Sequence, residues 1–325
     1  MLHRSSPHTP RRKDGLLSHA SDTNSQCGED GILSFVFTSV LPPPPNGGRR
    51  WLAEIGSWDG RHLSNSYGLL NGRDGGWNGV LVEADGERSA KAEEMYAGME
   101  DSSVGRSVLC VNRAVGLEGE SGINGVLAAA VAGRPTDDFP PDSFDFLSID
   151  VDSFDYHILS DVITSDTFSP KLVCVEYNPT IPLHISYIQA RDITVRQGSS
   201  ARAIVTLAEA NGYRLVETTL YNLLLVRSDL FPLFAPHLPV RDVVVKSPDG
   251  TKTVREEPAD SLEELCSLSM TTDLFQLYDG TLKYAGCKKL LWHRVRFDEE
   301  RLQMIEAGER RFPFGLAGGE GGGSG

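Results

Sequence analysis

The sequence predicts a doubly wound α/β fold: a mostly parallel, seven-stranded sheet with an antiparallel edge hairpin, plus a C-terminal extension. Three observations predict it. Short apolar runs rich in Val, Leu and Ile recur between residues 51 and 226, as strands buried on both faces require. Helix-like segments alternate with most of them. The last two runs follow each other with no helix between, which demands an antiparallel pair.

In order, the expected strands cover 51–55, 79–83, 107–111, 144–149, 172–177, 213–217 and 221–226. A short helix is expected over 31–41, ended by Pro42 to Pro45. Residues 87–99 are rich in Ala, Glu, Lys and Met. Residues 154–163 and 201–210 each gather apolar side chains on one helical face, and Asn211-Gly212 caps the second. Beyond Phe231 the pattern changes. Residues 243–254 read as a hairpin turning at Asp249-Gly250, followed by acidic, irregular segments. The expected organisation is a disordered basic tail over 1–23, a core domain over 24–232, an extension packed on it over 233–315, and a Gly-rich tail over 316–325.

The chain has 325 residues, 40% hydrophobic and 23% charged, enough for one large domain with an appendage. Its net charge of -14 disfavours a phosphate-backbone substrate. Five cysteines, an odd number with no CxxC spacing, suit reduced thiols in a reducing, cytoplasmic compartment. No run approaches the ~20 apolar residues of a membrane span. The basic start lacks the apolar core of a secretory signal, and organelle import stays open beside a disordered tail.

Open α/β sheets bind ligands at the carboxyl ends of their strands. The first strand delivers Glu54-Ile-Gly56-Ser57-Trp58-Asp59-Gly60, an E-x-G-x-x-x-G turn. Its glycines allow close backbone approach, and Glu54 suits a ligand ammonium through water or loop amides. The G-x-G-x-x-G of dinucleotide binding is absent, as is a P-loop lysine, so a nucleotide-linked oxidoreductase is disfavoured. The second strand ends in Glu83-Ala84-Asp85, where an acid can accept both ribose hydroxyls. The third ends in Asn112-Arg113-Ala114, where a polar side chain can address an adenine amino group. Together these strand ends point to S-adenosylmethionine, and a seven-stranded sheet with one reversed edge suits its class I methyltransferases.

The fourth strand runs into Asp150-Val-Asp152-Ser-Phe-Asp155, and the fifth ends in Glu176-Tyr-Asn178. If they are neighbours, Asp150, Asp152, Glu176 and Asn178 converge as oxygen ligands for Mg²⁺ or another divalent cation. Such an ion could orient an acceptor hydroxyl and lower its pKa. A structural reading competes: Asp152 or Ser153 caps the next helix, Asp155 lies in its first turn, Asp150 meets the ligand's ammonium, and Glu176 holds a loop. His184, in a long segment over 178–198 expected to cover the acceptor pocket, is a candidate base. His157 falls within a helix and suits a packed histidine.

These motifs resemble FkbM-type methyltransferase-like proteins over about residues 24–232. The resemblance rests on Ser25-Gln26-x-Gly28-Glu29-Asp30, the glycine turn with His62-Leu-Ser-Asn65, Gly76-Trp-x-Gly-Val-Leu-Val-Glu83, Leu147-Ser-Ile-Asp150-Val-Asp152, Val175-Glu-Tyr-Asn178-Pro, and Gly198-x-Ser200 with Asn211-Gly-Tyr213. It implies a Rossmann-like fold, S-adenosylmethionine as cofactor, and O-methylation of a small-molecule or saccharide hydroxyl. The cofactor contacts it implies are Gln26, Glu54, Gly56, Ser57, Trp58, Asp59, Gly60, Asn65, Glu83, Ala84, Asn112, Arg113, Ala114 and Asp150. Asp150, Asp152, Glu176, Asn178 and His184 are the candidate catalytic residues. Ser153 departs from the glycine expected after Asp-x-Asp, and Leu223-Leu224 from an aromatic pair. The alternative is a non-catalytic interaction or trafficking protein that keeps the fold.

Overall fold

The computed structural model describes residues 15–44, 48–72, 77–97, 107–132, 144–246, 252–266 and 272–286. Its centre is a seven-stranded sheet made of β1 Trp51–Ile55, β2 Asn78–Glu83, β3 Val108–Asn112, β4 Phe146–Ile149, β5 Leu172–Glu176, β6 Tyr213–Thr218 and β7 Asn222–Arg227. The strand order is β3-β2-β1-β4-β5-β7-β6. The first five strands pair in parallel, and β7 runs antiparallel to both β5 and β6. This is the doubly wound, mostly parallel seven-stranded sheet with an antiparallel edge that the strand pattern predicts. Strand order reverses between β1 and β4, so their carboxyl ends flank the switch point where such sheets hold ligands.

The apolar runs become strands because both sheet faces are covered. Trp51, Ala53 and Ile55 pack on one face against α4 Ile123–Val131, α5 Asp155–Ile163 and α6 Ala201–Ala210. Leu52 points the other way, into a second core. That core contains Leu16, Ile32, Leu33, Val36 and Phe37 from the N-terminal segment and Tyr96 from α3 Gly86–Ala97. Each fully buried Leu, Ile, Val or Phe contributes about 1.5–3 kcal/mol of transfer free energy. Helix α6 starts where Ser200 Oγ accepts the N–H of Ala203. It stops before Gly212, whose φ of +80° lies in open space.

The N-terminal segment corrects one expectation. Of the disordered tail expected over 1–23, residues 15–23 are described and are folded onto the sheet, and residues 1–14 lie outside the described residues. Leu16 is buried, and the N–H of Leu17 is taken by Glu217. The segment then forms α1 Glu29–Phe35 and a π-helical turn, Val36–Val40. It covers a sheet face that would otherwise be wet.

Between β1 and β7, two helices were not expected, α2 Tyr67–Leu70 and α4. The second carries Gly125, which weakens its helical signal, and docking of Ile123, Val126 and Leu127 in the core overrides that. Past α7 Phe231–Phe234, β8 Val240–Lys246 and β9 Lys252–Pro258 form the expected antiparallel hairpin. Its turn at Asp249-Gly250 lies outside the described residues. Helix α8 Leu262–Leu265 follows, and its two leucines join the first core. A further antiparallel pair, β10 Thr272–Gln276 and β11 Leu282–Gly286, closes the described extension. The Gly-rich tail over 316–325 lies outside the described residues.

Candidate functional site

The carboxyl ends of β1, β4 and β5 and the start of β7 open onto one cavity of about 310 Å³. Seven of the predicted residues line it: Gln26, Gly56, Trp58, Asn65, Asp150, Asp152 and Glu176.

The glycine turn is built for packing as well as for a ligand. Gly56 has φ +85°, and a Cβ there would stand 1.7 Å from the Asp150 carbonyl oxygen. Gly60 has φ +76°, and its Cβ would meet the Tyr96 ring at 2.9 Å. The space expected for a ligand beside these two atoms is therefore filled by protein, because β1 must lie close to the β4 loop and to α3. Between them Trp58 adopts φ +50° and is 39% exposed at the rim. Leu63, at φ +57°, is exposed on the same rim. Left-handed backbone at large side chains is strained and concentrates at functional sites.

Glu54 lies behind the cavity wall. It shares a sheet face with Leu52, away from Ile55, and is fully buried. One carboxylate oxygen accepts the N–H of Asn65 at 2.9 Å; the other accepts Ser64 Oγ at 2.7 Å and Ser66 Oγ at 2.5 Å. Burial raises its pKa, and these donors oppose the rise. Glu54 thus shapes the loop that carries Asn65, and it does not line the cavity.

Asp150, Asp152 and Glu176 meet. One carboxylate oxygen from each falls within 4.8 Å of the others. Asp150 and Glu176 are half-buried where they border the cavity, while Asp152 is exposed. Burial drives the pKa of both Asp150 and Glu176 well up, and the neighbouring carboxylates push in the same direction. The three carboxylates thus repel one another across the cavity wall. The loop that presents Asp150 and Asp152 is tied by Asp155, which accepts the N–H groups of Val151 at 2.8 Å and Ser153 at 3.1 Å. Neither Asp152 nor Ser153 caps α5 through its side chain, so the capping reading gives way to Asp155. The left-handed position is Asp152, φ +58°, a residue type that tolerates it, and Ser153 needs no glycine-like freedom.

Other predicted residues stand elsewhere. Asn178 does not join the carboxylates. Its carboxamide oxygen accepts the Thr180 N–H and hydroxyl at 2.9 and 2.6 Å, and its amide donates to Gln197 at 2.7 Å. It pins the 178–198 segment instead. His184 is exposed on that segment, away from the cavity wall. His157 is a packed core histidine against the Gln189 carbonyl at 3.0 Å. Glu83 accepts the N–H of Trp58 at 2.9 Å and of Asp85 at 2.8 Å, so it braces the glycine turn. Asn112 donates back to the Glu83 and Ala84 carbonyls. Arg113 and Ala114 are exposed beside it. Ser57 is buried with an unpartnered hydroxyl, and Asp59 accepts two turn N–H groups from Arg61 and His62.

Sequence reasoning did not assign His62, Leu63, Ser64, Tyr221 and Asn222 to the site, though all five line the cavity. Asn222 was absorbed into an apolar run as its first residues, and only its polarity at a strand start signalled more. The Ser25-Gln-x-Gly-Glu-Asp30 motif also resolves here. Asp30 accepts the N–H groups of Thr23, Asn24 and Ser25, and Glu29 reaches across to Thr219 and Asn222. Those acids fold the segment, leaving Gln26 at the cavity.

Neither a family model nor a curated protein matches the sequence. Among solved structures, the chain is similar to a human methyltransferase 10 domain containing protein, at 12% identity and a TM-score of 0.37, over 62% of this chain and 81% of that one. It is similar also to a magnesium protoporphyrin IX methyltransferase from Synechocystis with bound SAH, at 10% identity and a TM-score of 0.36, over 62% and 82%. A third is an S-adenosylmethionine-dependent methyltransferase from Clostridium acetobutylicum, at 8% identity and a TM-score of 0.34, over 61% and 89%. The strand order, rather than these likenesses, carries the fold assignment. Among the described residues no helix is long and apolar enough to cross a membrane.

Proposed function

We propose that the chain is an S-adenosylmethionine-dependent methyltransferase that transfers the methyl group to a hydroxyl of a small molecule or saccharide, with a divalent cation held at Asp150, Asp152 and Glu176. One observation carries this reading: three carboxylates from two adjacent strand ends face the same cavity as the glycine turn. The proposal takes residues 24–232 as the catalytic domain and 233–315 as an extension packed on it.

The donor set fits the amino-acid half of the cofactor. Asp150 offers a carboxylate to an ammonium, and the Gln26 amide borders the same space. On the ribose side, Glu83 can serve only through the lone pairs that Trp58 and Asp85 leave free. S-adenosylmethionine supplies an electrophilic methyl group. The chain's own part is to orient the acceptor, to keep its hydroxyl proton within reach of a carboxylate, and to exclude water beneath Trp58 and Leu63.

Calorimetry with S-adenosylhomocysteine tests the cofactor: micromolar binding that Asp150→Asn weakens supports it, and no binding to the wild-type chain overturns it. Full methyl transfer after rigorous chelation removes the cation from the proposal.

One observation favours a second reading, a non-catalytic interaction protein. The Arg88 guanidinium lies 3.4 Å over the Trp58 ring, and Trp58 and Glu83 already satisfy each other beside the ribose position. A partner-dependent phenotype that survives Asp150→Asn with Glu176→Gln supports this reading over the enzyme.

A further inference from the structure

The carboxylate group lacks the asparagine that the sequence assigns to it, and a different asparagine stands where one is needed. Asn222 opens β7 directly opposite Glu176 in the antiparallel β5–β7 ladder. Opposed residues of such a pair project to the same face, with Cβ atoms ~5 Å apart. Asn222 is only 5% exposed, and it lines the cavity shared by Asp150, Asp152 and Glu176.

Its amide is not free to turn. Asn222 Nδ2 donates to Glu29 Oε1 at 2.9 Å, and a carboxylate in that position accepts only. Glu29 is itself held: it is fully buried, accepts Thr219 Oγ1 on the same oxygen at 2.5 Å, and accepts the Cys27 N–H on the other at 2.8 Å. The Asn222 N–H in turn goes to Thr219 Oγ1 at 3.1 Å. With Nδ2 fixed, Asn222 Oδ1 is left buried without any hydrogen-bond partner. Burying an amide oxygen without a partner is costly, and a cation in the cavity would supply the missing partner.

We propose that Asn222 Oδ1, aimed by Glu29, is the fourth protein oxygen of a divalent-cation site with Asp150, Asp152 and Glu176. This rests on the cation reading above and changes its ligand set. An all-oxygen set of three carboxylates and one amide suits Mg²⁺, Mn²⁺ or Ca²⁺ rather than Zn²⁺. Glu29 is a positioning residue, since it touches Asn222 and not the ion. The N-terminal Ser-Gln-x-Gly-Glu-Asp segment thereby becomes part of the site: Gln26 borders the cavity, and Glu29 sets its amide ligand.

The test is Mn²⁺ binding to the full chain, followed by electron paramagnetic resonance and by calorimetry. Glu29→Ala removes the carboxylate that fixes Asn222 Nδ2, so nothing holds the amide with its oxygen toward the cavity. Mn²⁺ affinity should fall about 10- to 100-fold, the usual effect of losing a ligand-orienting partner. Asn222→Ala should weaken binding comparably, and Asn178→Ala should not change it. The double variant Glu29→Gln with Asn222→Asp restores the pair with donor and acceptor exchanged, at the same total charge. It leaves a carboxylate oxygen toward the cavity and should recover wild-type affinity.

Circular dichroism and thermal melting confirm that each variant is folded. The double variant keeps the test decisive if Asn222→Ala does not fold. Wild-type Mn²⁺ binding that is indifferent to Glu29→Ala, or a double variant that does not recover, overturns the role of Asn222 and leaves the cation reading intact. Absence of Mn²⁺ binding by the wild-type chain overturns both. A loss of S-adenosylhomocysteine affinity in the same variants, with no Mn²⁺ binding anywhere, would move the oxygens to the ligand's ammonium and also overturn the assignment.

Discussion

Gly56 and Asp150 are so close that no side chain fits between them: a Cβ on residue 56 would lie 1.7 Å from the Asp150 carbonyl oxygen. The glycine turn and the acidic loop are therefore one rigid unit. Gly56→Ala should destabilise the fold by about 3 kcal/mol or more, combining left-handed backbone with a main-chain clash. Gly212→Ala supplies the comparison, because its φ is +80° but nothing lies within 4 Å of the new Cβ. It should cost only about 1–2 kcal/mol. Chemical denaturation of both variants checks the difference, and equal losses would refute the clash.

Glu54 is expected to act on the cavity through the loop it holds. Glu54→Ala leaves three donors near residues 64–66 without an acceptor and should cost about 3–5 kcal/mol. Glu54→Gln keeps an oxygen for the Asn65 N–H while the two serine hydroxyls rotate, so the loss should be near 1 kcal/mol. Melting temperatures separate the two outcomes. If Glu54 instead contacted ligand directly, Glu54→Gln would abolish S-adenosylhomocysteine binding in a folded protein.

At the opposite end of the sheet, Asp145 joins three donors in a buried cluster. It accepts Lys171 Nζ at 2.7 Å, Arg50 Nη1 at 3.3 Å and the Trp51 N–H at 3.0 Å. Burial lowers the Arg50 pKa, and Asp145 opposes that drop. Asp145→Ala strands the guanidinium and should cost about 3–5 kcal/mol, a Tm loss of roughly 10 °C. The half-exposed pair Arg191–Asp161, at 3.0 Å, should be worth under about 1 kcal/mol by a double-mutant cycle.

Thiol chemistry offers a pH test. Burial, with Glu29 and Asp22 nearby, pushes Cys27 up to about 12; burial and Glu93 push Cys110 to about 11. A raised pKa lowers the thiolate fraction at any given pH. At pH 8 Cys27 should alkylate about a thousandfold more slowly than a free cysteine, and Cys110 about a hundredfold. Both rates should keep rising tenfold per pH unit beyond pH 9, where a free thiol levels off. Peptide mass spectrometry after timed iodoacetamide pulses reads each site; a plateau near pH 9 contradicts the assignment.

Most of the sheet was legible from residue order. Continuous apolar runs such as Gly79-Val-Leu-Val and Leu223-Leu-Leu-Val report burial on both faces, which is a local property. Helix α4 was not, because Gly125 weakens its pattern and packing restores it. The site was half legible. Acids placed at successive strand ends mark a ligand-facing edge, and Asp150, Asp152 and Glu176 converge there. Asn178 sits two residues past Glu176 in sequence, yet the chain has turned and its amide folds onto Thr180 and Gln197.

What the sequence alone determined was the alternation of strands and helices, the reversed last pair, and the edge at which polar groups gather. These follow from periodicity and from where apolar runs end. What only the tertiary structure decided was which polar groups meet and what each is free to do. Glu54 is engaged by three donors, Glu83 braces the glycine turn through two, and Asn222 faces Glu176 although 46 residues of chain separate their numbers. The physical reason is that a side chain's partners are set by strand register and loop packing between segments distant in sequence, and neither leaves a local signature in residue order.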